Sequence, residues 1–216
     1  METVRRPALL VATLLMCVAV LAPALAAAQG YPALFGTREV RNGNISPFTK
    51  WTGMLGRQRP EPTQYGAACQ QRRGRCFVQE WRALITQLRG QDPMRQLQQV
   101  NAFMNRLTYI EDIANYGMVD YWATPLEFLR RDGDCEDYAI AKYISLRELG
   151  FPQSDMRILV LNDLNLRVPH AILIVYLNGR AYVLDNQIQQ VVSTDVIRHY
   201  QPIFSINEEA WWLHQR

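Results

Sequence analysis

Gly133-Asp134-Cys135-Glu136-Asp137-Tyr138-Ala139-Ile140-Ala141-Lys142 sets a cysteine in the first turn of a helix and surrounds it with carboxylates. Asp134 supplies the N-cap, Ala139, Ile140, Tyr143 and Ile144 recur at helical spacing, and Gly150 and Pro152 stop the helix after Leu149. The apolar period then changes from helix to strand. Residues 156–161 read as a strand, 162–168 as a polar loop, and 170–177 and 180–184 as two strands joined by Asn178-Gly179. That dipeptide specifies a two-residue hairpin turn because both residues tolerate positive φ. Helices therefore precede an antiparallel sheet, which predicts an α+β fold with the Cys135 helix packed on the sheet.

Upstream, residues 76–88 carry Phe77, Trp81, Leu84, Ile85 and Leu88 on one helical face that ends at Gly90. A second helix starts with Asp92 as N-cap and Pro93 at the first helical position, and turns Met94, Leu97, Val100, Met104 and Leu107 inward. Thr124-Pro125-Leu126-Glu127 has the form of a capping box opening a short helix through about Arg130. Residues 31–62, rich in Gly, Asn and Pro, read as loops with short pieces of helix.

The chain has 216 residues and a formal charge of +3. So small a charge, with one basic cluster at Arg72-Arg73-Gly74-Arg75 and no aromatics interleaved, argues against nucleic acid. Arg5 and Arg6, the apolar run 9–21, and Ala24-Leu25-Ala26 or Ala26-Ala27-Ala28 form a cleavable leader over residues 1–28, with an uncleaved anchor as the competing reading. Export to a bacterial periplasm follows, with residues 29–216 as one soluble domain. Cys17 leaves with the leader. Of the other cysteines, Cys69 and Cys76 flank a short loop and can pair, stabilising by about 2–3 kcal/mol, which leaves Cys135 as the spare thiol.

The helix dipole favours a Cys135 thiolate, while Asp134, Glu136 and Asp137 oppose it. A histidine delivered from elsewhere, or a hard cation such as calcium, would resolve the conflict. The hairpin provides the histidine. With Asn178-Gly179 as the turn, Leu177 pairs with Arg180 and Ile172 lies opposite Asp185, so His170 and Asp185 share a face as diagonal neighbours about 7 Å apart. Cys135, on a helix expected against that face, completes a Cys-His-Asp set in which Asp185 orients His170 and His170 activates the thiol. The Cys135 N–H is the expected oxyanion donor, with the Trp122 indole N–H as a second. His199 and His214 lack such partners and read as surface residues. The Asp-Cys-Glu acids would hold calcium through Asp134 and Glu136, with Asp137 as a further ligand; plain helix capping is the other reading.

The string Gly133 to Lys142, the His-led strand, Leu184-Asp185-Asn186, and the segment Asp120-Tyr121-Trp122-Ala123-Thr124-Pro125-Leu126-Glu127-Phe128 together resemble the bacterial transglutaminase-like cysteine proteinases. The resemblance implies a papain-like α+β fold, Cys135 as nucleophile, His170 as base, Asp185 as orienter, and calcium at Asp134 and Glu136. It further implies a periplasmic endopeptidase that cuts a large cell-surface adhesin near its N-terminus at a paired-alanine site, releasing it and dispersing biofilm. The implied regulator is an inner-membrane cyclic di-GMP receptor that sequesters the protease. A transglutaminase-type acyl transferase, and a calcium-regulated binding protein with an inactive triad, are the alternative activities.

Overall fold

In the computed structural model, described for Met1 and residues 31–59 and 74–215, helices α2 (Phe77–Leu88), α3 (Pro93–Met104), α4 (Asp112–Asn115), α5 (Pro125–Arg131) and α6 (Cys135–Glu148) precede most of the sheet. The expected leader and Cys69 lie outside the described residues. No helix among the described residues is long and apolar enough to cross a membrane.

Local signals in the sequence account for these boundaries. The Asp92 side chain accepts the Arg95 N–H at the start of α3, and Thr124 and Glu127 close a reciprocal capping box on α5. Gly150 follows α6 at a φ of +99°, a conformation that glycine adopts without a Cβ penalty. Asn178 and Gly179 both have positive φ, and Leu177 pairs with Arg180, as a two-residue turn requires.

The sheet has seven antiparallel strands, numbered along the chain. Strands β2 (Met156–Asp163), β3 (Val168–Leu177) and β4 (Arg180–Leu184) agree with the sequence reading, although β2 runs on into the expected loop. Four strands go beyond it: β1 (Arg38–Asn42), β5 (Val192–Ser193), β6 (Tyr200–Ile206) and β7 (Trp211–Gln215). The spatial order of the seven is β1-β7-β6-β2-β3-β4-β5. The expectation of loops with short pieces of helix over 31–62 agrees with helix α1 (Thr49–Gln58) and is corrected by β1, a strand where none was expected.

Both sheet faces are covered, which explains the near-continuous apolar run in β3. Leu173, Val175 and Leu184 pack with Ile140, Tyr143 and Ile144 of α6 on one face. Ile172, Ile174, Tyr176 and Val183 pack with Leu34, Ile197 and Tyr200 on the other. A third cluster joins α2, α3, α5 and α6 through Trp81, Ile85, Met104, Phe128 and Tyr138.

His214 is a correction. It is buried, with Nδ1 2.8 Å from Thr37 Oγ1 and Nε2 3.0 Å from Ser205 Oγ, and burial lowers its pKa to about 4. Its neighbours come from the 31–37 segment and β6, neither of which was legible beside it. His199 is half-buried against the Tyr200 ring.

Candidate active site

Cys135 is the first residue of α6, after an extended Asp134. Gly133 permits this arrangement. A Cβ there would lie 2.1 Å from Asp137 Oδ2 and 2.9 Å from that residue's Cβ and Cγ, so the fully buried Asp137 side chain folds back into space that only glycine leaves open. Asp137 Oδ1 accepts the Ala123 N–H at 2.7 Å and Oδ2 accepts the Asp134 N–H at 3.4 Å, which ties the start of α6 to the segment before α5.

Strand alternation places His170 with Ile172, Ile174 and Tyr176. Helix α6 packs on the opposite face, with Leu173 and Val175, so the expectation that it lies against the histidine face is corrected. The thiol reaches the histidine by another route. The ladder between β3 and β4 ends at the Leu173–Leu184 pair, and beyond it the Ala171 backbone is near enough to Cys135 to favour its thiolate, against the larger opposing effects of burial and Glu136. Cys135 thus sits beside β3 where β4 has stopped, and Cys135, His170 and Ala171 line one cavity of about 590 Å³.

His170 and Asp185 meet as their register requires. His170 Nε2 lies 3.0 Å from Asp185 Oδ1, and both residues are buried. Burial alone would raise the Asp185 carboxyl, but the His170 hydrogen bond and charge, the Tyr200 hydroxyl on Oδ2 at 2.5 Å, and the Gln187 N–H outweigh it and hold the pKa below its ordinary value. An ionised carboxylate only accepts, so Nε2 carries a proton toward it, and in the neutral imidazole the lone pair then lies on Nδ1. Asn105, at the end of α3, also fixes the segment by donating to the Asp185 carbonyl at 2.8 Å. Neither Tyr200 nor Asn105 was singled out from the sequence, because only the tertiary fold brings them to Asp185.

The surroundings of Cys135 disfavour its thiolate. Burial raises its pKa first and the Glu136 charge next, and Sγ donates to Glu136 Oε2 at 3.2 Å. Cys135 is a free thiol, whereas Cys76 is disulfide-bonded. Trp122 is buried and lines the same cavity.

The acids form two overlapping groups whose ligand atoms lie within 4.8 Å of one another: Asp112, Asp120 and Glu136, and Asp112, Asp134 and Asp137. Asp112 and Asp120 are not legible as members of the acid cluster from the sequence, because they come from separate segments and carry no spacing signal relative to Cys135. Burial and then the Asp134 charge push the Glu136 carboxyl up to about 9. Burial, with the Asp134 and Asp120 charges, pushes Asp112 up to about 6. Oδ1 of Asp112 and Oδ1 of Asp134 are buried without a hydrogen-bond partner among the described residues. An all-oxygen donor set with orphaned, mutually repelling carboxylates fits a hard divalent cation of the calcium type.

Residues 55–213 match the family model described as bacterial transglutaminase-like cysteine proteinase. Calcium-bound Legionella pneumophila LapG superposes with a TM-score of 0.63 at 30% identity, over 70% of this chain and 84% of that one. An EGTA-treated structure of the same protein gives a TM-score of 0.60 at 31% identity, over 65% and 77% of the two chains. A further structure of Legionella pneumophila LapG gives 0.58 at 32%, over 63% and 76%. No curated protein matches the chain.

Proposed function

This chain belongs to the bacterial transglutaminase-like cysteine proteinases, and on that premise we propose that it is a calcium-dependent endopeptidase with Cys135 as nucleophile, His170 as base and Asp185 as orienter. One observation carries the reading: Cys135 and His170 line the same cavity while the other ring nitrogen of His170 is bound to an ionised Asp185. His170 Nδ1 takes the thiol proton, and Cys135 Sγ attacks the scissile carbonyl. The imidazolium returns the proton to the leaving amine, and water activated by Nδ1 resolves the thioester. The Cys135 N–H and the Trp122 indole N–H are the proposed oxyanion donors.

Calcium held by Asp134 and Glu136, with Asp112, Asp120 and Asp137 in reach, supplies positive charge that cancels carboxylate repulsion of the thiolate. The calcium-bound and EGTA-treated LapG structures support this part of the reading.

The proposed substrate is a large cell-surface adhesin, cut near its N-terminus at a paired-alanine site to disperse biofilm. The proposed compartment is the periplasm, and the proposed regulator is an inner-membrane cyclic di-GMP receptor. Incubating the purified protein with a cell-envelope fraction, with and without a calcium chelator, tests the reading. A discrete product is expected from the wild type with calcium and from neither the chelated protein nor Cys135→Ala. A product from Cys135→Ala would overturn it.

A further inference from the structure

Lys50 stands in the first turn of α1, where the positive end of the helix dipole disfavours a cation. Its position comes instead from Asp120, with which Lys50 Nζ forms an ion pair across the chain. Asp120 is also grouped with Asp112 and Glu136, and Lys50 favours the ionised form of Asp112 as well. Lys50 and Asp120 line the cavity that holds Cys135 and His170. The ammonium therefore lies at the border between the acid cluster and the cleft, and its charge already neutralises part of the cluster.

Asp112, 1% exposed, keeps an unpartnered Oδ1 within this group, so Lys50 does not satisfy the acids. The side chains of Lys50 and Asp120 are 50% and 44% exposed. A pair so exposed is weak and salt-sensitive, and the lysine stem is long enough to swing into water when a stronger cation arrives.

We infer that Lys50 is a tethered counter-ion that competes with a divalent cation for the Asp112–Asp120–Glu136 acids and thereby sets the cation affinity of this site. The inference rests on the calcium reading above and adds a residue that is not itself an oxygen ligand. Lys50 makes the cation-free protein tolerable to its own acids and weakens calcium binding in proportion. When calcium is bound, the ammonium is released toward the cleft mouth.

The test is calorimetric titration of calcium into the chelator-stripped protein, with its disulfide intact, for wild type, Lys50→Met and Lys50→Arg. Removing one competing charge from a half-exposed site should tighten calcium binding by about two- to fivefold in Lys50→Met, while Lys50→Arg binds no more tightly than wild type. The gain should shrink at high salt, where an exposed pair is screened. Equal or weaker affinity in Lys50→Met would overturn the role of Lys50 and leave the calcium reading standing. Absence of calcium binding in both proteins would overturn the two together.

Discussion

Lys142 lies on α6 two turns beyond Cys135, fully buried, with Nζ unpartnered among the described residues and 5.8 Å from the centre of the Tyr138 ring. Burial lowers its pKa from 10.5 to about 7, with the Asp185 charge acting in the opposite direction. A folded pKa below the unfolded one means that the unfolded chain binds more protons between pH 7 and 10.5, so the lysine makes stability rise with pH across that window. Its destabilising effect is complete below pH 7. At about 1.4 kcal/mol per pH unit, the effect changes by about 2–3 kcal/mol between pH 7 and 9. Lys142→Met keeps much of the volume and removes the charge, so it should stabilise the protein at pH 6 by about 1–4 kcal/mol. Urea unfolding of both proteins from pH 6 to 9 measures this. Glu136, whose raised pKa gives the opposite slope, is common to both and cancels in the difference. The advantage of the variant should narrow as pH rises. A gap independent of pH, or a variant less stable than wild type at pH 6, would refute the burial of a titrating lysine.

Asp185→Asn retains an acceptor for His170 but loses the carboxylate charge, and kcat/KM should fall by up to about 10⁴-fold with the fold intact, against complete loss in Cys135→Ala. Gly133→Ala should lower stability by about 1–3 kcal/mol in urea unfolding, because the new Cβ meets the buried Asp137 side chain. If Cys69 is the partner of Cys76, thiol counting on native protein should find Cys135 alone, and reduction should cost about 2–3 kcal/mol without blocking alkylation of Cys135.

The half of the fold that carries the proposed nucleophile and base was legible because its signals are local. Capping boxes, Asn178-Gly179 and the spacing from the turn back to His170 and Asp185 depend on residues near one another in the chain. The sheet beyond β2 was not. β1 is mostly exposed and polar, so it shows no burial alternation, and its pairing with β7 joins the two ends of the domain. β6 contains Pro202 and meets β2 through a register shift between Val160 and Leu161, which conceals a strand from any period-two reading. The face on which α6 packs is hidden from the sequence for a related reason. Cys135 reaches His170 past the end of β4, and a strand's stopping point is set by tertiary pairing. Asp112, Asp120, Tyr200 and Asn105 join the site by folding alone.

The central claim is that His170 activates Cys135 once a cation has relieved the carboxylates beside it. Its most direct measurement is the rate of Cys135 alkylation by iodoacetamide against pH, in calcium and in chelator, for wild type and His170→Ala. In calcium, the wild-type thiol should react as a thiolate well below its ordinary titration range, while chelation or His170→Ala should move the profile to higher pH. Superimposable profiles for wild type and His170→Ala in calcium would contradict the account.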